Sequence, residues 1–190
     1  MTVMKIARLA LAGFMFVLLA TSVAQAATDF YISVVGAKQG AFKGESRLKG
    51  AEGKIAGLVF DYAILSPRDP VSGQATGRRQ HKPIRITKPW GAASTQFFTA
   101  AATNELLPSV LLDFFSINTA TGQLVLDHTI KLTNAIIVGI AYHSDSGVIE
   151  VTPTKAPAYE TIDMTFAQIE MIDHLNKGAA VDQWMGGNLQ

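Results

Sequence analysis

The sequence predicts a mainly β protein: an antiparallel β-barrel or two packed sheets, with one flanking α-helix. Three observations carry this. Short apolar, β-branched runs recur along the chain, bounded by Gly, Pro, Asn and Ser. A single stretch, Trp90 to Leu106, is rich in alanine and has apolar residues at helical spacing. The later strands follow one another in close order, as antiparallel strands joined by short turns do.

The first 26 residues do not read as part of this fold. Lys5 and Arg8 form a short positive region, an apolar run from Leu9 to Ala20 follows, and Ala24-Gln25-Ala26 is an A-x-A cleavage site. That order is a secretory signal peptide. The run is short for a bilayer span, which needs about 20 residues; an uncleaved anchor is the alternative. Residues 27–190 are then expected to form one exported domain, periplasmic or secreted, with no membrane attachment after cleavage.

Phe30 to Val35 (FYISVV) reads as the first strand, and Gly36 opens a loop. Ala37 to Gly57 holds five glycines among scattered Lys and Arg and has no clear period. Leu58 to Leu65 (LVFDYAIL) is the second strand. Ser66 to Lys82 is dense in Pro, Gly, Ser and Asp, the composition of a long exposed loop. Loops of this length inside a compact domain are usually functional. Pro83 to Lys88 alternates as a strand does. In the helix, Ala93, Phe97 and Ala101 share a face with Phe98 beside them, and Pro108 stops it and starts the next strand. Val110 to Ile117, Gln123 to Leu132 and Ala135 to His143 are strands, the first two joined through Asn118 to Gly122. A last strand runs from Tyr159 to about Met171, with Ile162, Met164 and Phe166 on one face and Thr161, Asp163 and Thr165 on the other.

The chain has no cysteine, so burial and hydrogen bonding alone hold it, and thiolate zinc sites are excluded. Lys and Arg number 16 against 15 Asp and Glu, but they are unevenly spread. Lys38 to Lys88 holds 11 basic and 4 acidic residues; Pro89 to Gln190 holds 3 basic and 10 acidic. Ordinary solvated surface accounts for such a split, and so does head-to-tail contact between copies. Without its leader the chain is slightly acidic, which argues against a nucleic-acid partner.

No constellation for catalysis stands out. Of the four histidines, His81 lies in the basic loop and His174 follows the last strand beside Asp173. Asp127 and His128, adjacent on a strand, are expected on opposite faces and so not to form an orienting pair. His143-Ser144-Asp145 offers two metal ligands without a third. Gly44-Glu45-Ser46-Arg47-Leu48 begins like a nucleophile elbow but lacks the closing glycine. Phosphate-loop and dinucleotide motifs are absent. The chain therefore reads as non-enzymatic, with no catalytic, cofactor-binding or metal-binding residues. Its densest charge run, Arg78-Arg79-Gln80-His81-Lys82, is either a solvated loop, a phosphate-binding patch or a protein contact. The tail around Trp184 is expected to pack back on the body or onto a neighbouring subunit.

The loop from Ser66 to Pro83, with its Pro-x-Asp-Pro-x-Ser-Gly start and Gly-x-Arg-x-His-Lys-Pro finish, resembles the signature loop of the Hcp family (haemolysin-coregulated protein). Ile84 to Lys88, the helix exit Asn104-Glu-Leu-Leu-Pro108, Thr129 to Asn134, Tyr159 to Glu170, the tail Asp182-Gln-Trp184 and the opening Phe30-Tyr-Ile-Ser33 are similar to the family in the same order. The likeness covers nearly all of residues 29–184 and is weakest from Gly36 to Gly57. It implies a compact β-barrel with one flanking helix, forming hexameric rings that stack into the inner tube of the type VI secretion machine. The mechanism implied is assembly, with effectors carried in the lumen and tube-tip or sheath proteins as further partners. Arg68, Asp69, Arg78, Arg79, His81 and Lys82 are the residues this picture gives to the assembly loop. One feature departs from the pattern: family members are normally made in the cytoplasm without a leader. An exported binding module of the same fold, outside any injection tube, is the alternative.

Overall fold

The computed structural model describes residues 30–144 and 158–184. The segment 1–26 expected to be a leader, Asp145 and residues 185–190 of the tail lie outside the described residues. Strands β1 (Phe30–Gly36), β2 (Gly40–Ala41), β3 (Ile55–Gly57), β4 (Val59–Asp61), β5 (Ile64–Leu65), β6 (Gln80–His81) and β7 (Ile84–Pro89) lead to helix α1 (Ser94–Ala102). Strands β8 (Leu107–Ile117), β9 (Leu124–His143), β10 (Tyr159–Thr165), β11 (Gln168–Asp173) and β12 (Gly178–Gln183) follow.

The strands of the main sheet pair antiparallel along the path β2-β1-β8-β9-β10-β7-β4, with β3 on β1 and the β11–β12 hairpin on β9. The ends of that path do not join, so of the two predicted forms the chain adopts two packed sheets and not a closed barrel. β9 belongs to both. Residues His128 to Thr133 pair with β11, and Ile136 to His143 pair with β10. Between them Asn134 has φ 52°, the left-handed region that Asn enters more readily than other side chains. Opposite this kink β10 ends and β11 begins, and the Ala167 N–H donates to the Thr133 carbonyl at 3.1 Å. Both segments thus change sheet at the same level. The strand expected to break after Leu132 runs through as β9, whereas the strand expected from Tyr159 to Met171 is two.

Leu58 to Leu65 also divides, β4 joining β7 and β5 joining β6. The run holds no Gly or Pro, and Asp61, which ends β4, is its single charged residue. Alternation holds elsewhere: Ile32 and Val34, Ile84 and Ile86, Val110 and Leu112, Ile162 and Met164 all point between the sheets and are buried. At about 1.5–3 kcal/mol for each fully buried aliphatic side chain, this core outweighs any surface ion pair.

The helix is shorter than Trp90 to Leu106. Asn104 (φ 49°) closes it, with the Glu105 N–H on the Ala100 carbonyl at 2.9 Å and the Asn104 N–H on the Ala101 carbonyl at 3.4 Å, a Schellman ending. Phe97 and Ala100 are buried, Phe97 meeting the Phe42 ring edge-on at 5.1 Å, while Phe98 is exposed. Just beyond, the buried Glu105 carboxylate accepts from the Lys38 N–H (2.6 Å), the Gln39 N–H (2.9 Å) and Gln39 Nε2 (2.9 Å), fixing the β1–β2 turn. Burial alone raises the Glu105 pKa, but those backbone and side-chain donors together hold it below its ordinary value.

Four ion pairs tie the basic first half to the acidic second: Lys54–Asp113, Arg79–Asp182, Arg85–Asp163 and Lys88–Glu160. The charge asymmetry of the sequence is thus partly spent within the chain. Lys88 and Glu160 are buried, 2.7 Å apart. Ser94 Oγ joins them, accepting from Lys88 Nζ at 3.1 Å and donating to Glu160 Oε1 at 3.0 Å.

Candidate assembly surface

The loop from Ser66 to Lys82 is more ordered than its composition predicts. Its base is the β5–β6 pair, and an isolated bridge joins Arg68 to Ala75. At the tip Asp69 Oδ1 accepts from the N–H groups of Val71 (2.8 Å) and Ser72 (2.7 Å), an Asx turn, while Arg68 Nη1 donates to the Gly73 carbonyl at 3.1 Å. The donors on Ser72 and Val71 hold the Asp69 carboxyl below its ordinary pKa.

The six loop residues selected from sequence divide into three groups. Arg68 and Asp69 build the tip. Arg78 and Lys82 are exposed. Arg79 and His81 turn back toward the body and meet β12. Arg79 binds Asp182 through Nε and Nη2, a bidentate pair. His81 is buried, sharing a 2.6 Å hydrogen bond between Nδ1 and the Tyr62 hydroxyl. Its Nε2 stands 3.3 Å from Asp182 Oδ2, outside hydrogen-bond geometry. The Arg79 hydrogen bonds, against a smaller opposing effect of burial, hold the Asp182 carboxyl below its ordinary pKa. Burial, and then the Asp182 charge, push the Tyr62 phenol up. Trp184 closes the group, its ring 5.6 Å from His81 and 5.8 Å from Phe166, so this part of the tail packs back on its own chain.

Tyr62 and Asp182 have no local sequence signal as partners of this loop. Arg79 and Asp182 are 103 positions apart, and only the fold brings them together. Among the described residues, no group of three or more His, Cys, Asp or Glu is placed to hold a metal ion. Asp127 and His128 do approach, Oδ2 to Nδ1 at 3.6 Å, contrary to the alternation expected of a strand. The register explains it: Phe114 faces His128 and Phe115 faces Leu126, leaving Asp127 as the extra residue of a β-bulge. Nor does any helix among the described residues have the length and apolarity to cross a membrane.

Fold and loop together define a small antiparallel β protein whose most elaborated surface is a hairpin clamped to its C-terminal strand. The family model described as type VI secretion system effector, Hcp, matches residues 31–172, and the chain belongs to that family. It is similar to the major exported protein of Pseudomonas aeruginosa, 31% identical over 171 residues that cover 83% of this chain and 96% of that one. Among solved structures, that of an Hcp protein superposes with a TM-score of 0.76 at 23% identity, covering 85% of this chain and all of that one. Hcp1 of E. coli EAEC 042 superposes at 0.73 with 21% identity, covering 84% of this chain and 100% of that one. At these identities the superpositions establish the fold.

Proposed function

We propose that this chain is a non-enzymatic structural protein that assembles into hexameric rings of the type VI tube kind, with the Ser66–Lys82 loop as one of its contacts. The observation that carries the reading is the loop itself. Its hydrogen-bonded tip is held out in solvent, and Val71 is 94% exposed. Val71 adds nothing to its own core, and with Ile64 and Leu65 at the loop base also exposed the hairpin offers apolar surface to a partner. In this reading Arg68, Arg78 and Lys82 face the neighbour, whereas Arg79 and His81 hold the loop in place. Small effectors in the lumen, and tip or sheath proteins at the ends, are the further partners.

The test is the solution mass of residues 27–190 by light scattering after size exclusion, with negative-stain images of the peak. Ring-shaped hexamers are expected; a clean monomer at high concentration overturns the proposal. A second reading, an exported module of the same fold outside any injection tube, is favoured by the sequence of residues 1–26, which we propose is a leader cleaved after Ala26. Fusion of that leader to a reporter tests it, and failure to direct export removes it.

A further inference from the structure

Residues 43–48 face the run that leads from β7 into α1, and the two enclose a cleft of about 300 Å³. The outer wall is held by its own backbone. The Ser46 N–H donates to the Lys54 carbonyl at 3.0 Å, and the Gly53 N–H to the Ser46 carbonyl at 2.8 Å. Gly44 permits that approach, since a Cβ there would lie 2.1 Å from the Lys54 carbonyl carbon. On the inner wall the Trp90 ring is steadied by Tyr142, with centroids 5.3 Å apart.

Three kinds of group line the space. Lys43 and Arg47 bring positive charge, Glu45 brings a carboxylate, and Leu48, Ile55 and Trp90 bring apolar surface. Lys54, Arg79, Arg85 and Lys88 have carboxylate partners within the chain, whereas among the described residues the side chains of Lys43 and Arg47 have none. Glu45 Oε1 accepts from the Ala92 N–H at 3.1 Å, which orients the carboxylate and leaves Oε2 for another donor. Gly91 makes room for it, because a Cβ at that position would stand 2.8 Å from Oε2. A purely anionic ligand would meet Glu45, and a purely cationic one would meet Lys43 and Arg47. The set is matched by a small molecule that carries a carboxylate, an ammonium and a hydrocarbon group together.

We propose that this cleft binds a free α-amino acid with an apolar side chain. The carboxylate lies at Lys43 and Arg47, where the guanidinium fork suits its two oxygens. The ammonium donates to Glu45 Oε2 and draws on the π face of Trp90. The side chain rests on Leu48 and Ile55. Such a site stands whether or not copies of the chain assemble.

The test is titration of the purified protein with L-leucine and L-phenylalanine, read from the Trp90 indole N–H resonance, which Trp90→Phe assigns. Two leucine analogues are titrated beside them: 4-methylpentanoate, which lacks the ammonium, and 3-methylbutylamine, which lacks the carboxylate. Saturable binding of an amino acid at millimolar concentration or below is expected, with each analogue at least tenfold weaker than leucine. No saturable shift with either amino acid overturns the proposal, and so does an analogue that binds as well as leucine. Gly91→Ala separates the site from the fold, because only the far end of the Glu45 side chain stands in the way of the added methyl. Its Tm should be unchanged, its affinity for leucine at least tenfold lower, and its affinity for 4-methylpentanoate unaltered. A Gly91→Ala or Glu45→Gln protein that binds leucine as the wild type does also overturns the proposal.

Discussion

Lys88–Glu160 and Arg79–Asp182 are both cation–carboxylate pairs with further polar neighbours, yet they occupy opposite settings. The first joins β7 to β10 in the interior, where the side chains are 1% and 0% exposed and Ser94 bridges them. The second joins the Ser66–Lys82 loop to β12 at the surface, with Arg79 half exposed. Desolvation decides what each can do. In the interior either charge left alone has no water to turn to, so each partner requires the other. At the surface water replaces the partner readily, so the pair adds little to global stability and acts instead on the position of one loop.

The largest expected effect comes from breaking the buried pair. Glu160→Ala leaves the Lys88 ammonium buried without its carboxylate and is expected to cost about 3–5 kcal/mol, read as a fall in Tm. Lys88→Met with Glu160→Leu removes both charges and should recover most of that loss. If the single variant is as stable as wild type, the interior setting is not what makes the pair matter.

Glu105 lies between the extremes, a buried carboxylate satisfied by backbone donors with no cation hydrogen-bonded to it. Glu105→Gln is expected to cost about 1–3 kcal/mol, because an amide offers a weaker acceptor to the N–H groups of Lys38 and Gln39. Its pH dependence has a definite sign. The folded-state pKa is depressed below the ordinary 4.5, so the contribution is present above that value and is lost as pH falls through the folded pKa. The Tm gap between wild type and Glu105→Gln should be constant at neutral pH and narrow on acidification below about pH 4.5. A gap that widens instead contradicts the assignment.

These side chains also mark the limit of what was legible in the sequence. Alternation identified Ile162, Met164 and Phe166 as one face, and the structure buries all three. The buried Glu160 lies two residues before Ile162, and nothing in the sequence points to its partner, since Lys88 is 72 positions away. Pro, Gly and Asp marked the loop, but not that Asp69 would fold its tip. Two of the three errors of strand division share a cause. Asn134 takes a left-handed bend without leaving the strand, whereas Phe166 and Ala167 interrupt one without any Gly or Pro. The direction of each segment is set by the sheet it joins, a tertiary choice that local sequence does not encode.

The smallest effect on stability, and the sharpest test of the comparison, comes from two surface pairs of the same chemistry. Arg85 binds Asp163 through Nε and Nη2 at 2.8 and 2.9 Å across β7 and β10, and Arg79 binds Asp182 with the same two nitrogens at the loop base. Asp163→Asn and Asp182→Asn should each move Tm by no more than about 2–4 °C. They should part company in limited trypsin digestion of the folded protein. Asp163 lies within a sheet whose backbone ladder holds Arg85 regardless. Asp182 is the acceptor that draws Arg79 to β12, so Asp182→Asn should speed cutting after Arg78 and Arg79 by about tenfold while Asp163→Asn leaves the rate unchanged. The expectation follows from local opening, where a loop tied by few groups is released without unfolding the rest. Equal digestion of the two variants would mean that β6 and the Tyr62–His81 bond hold the loop without help from β12.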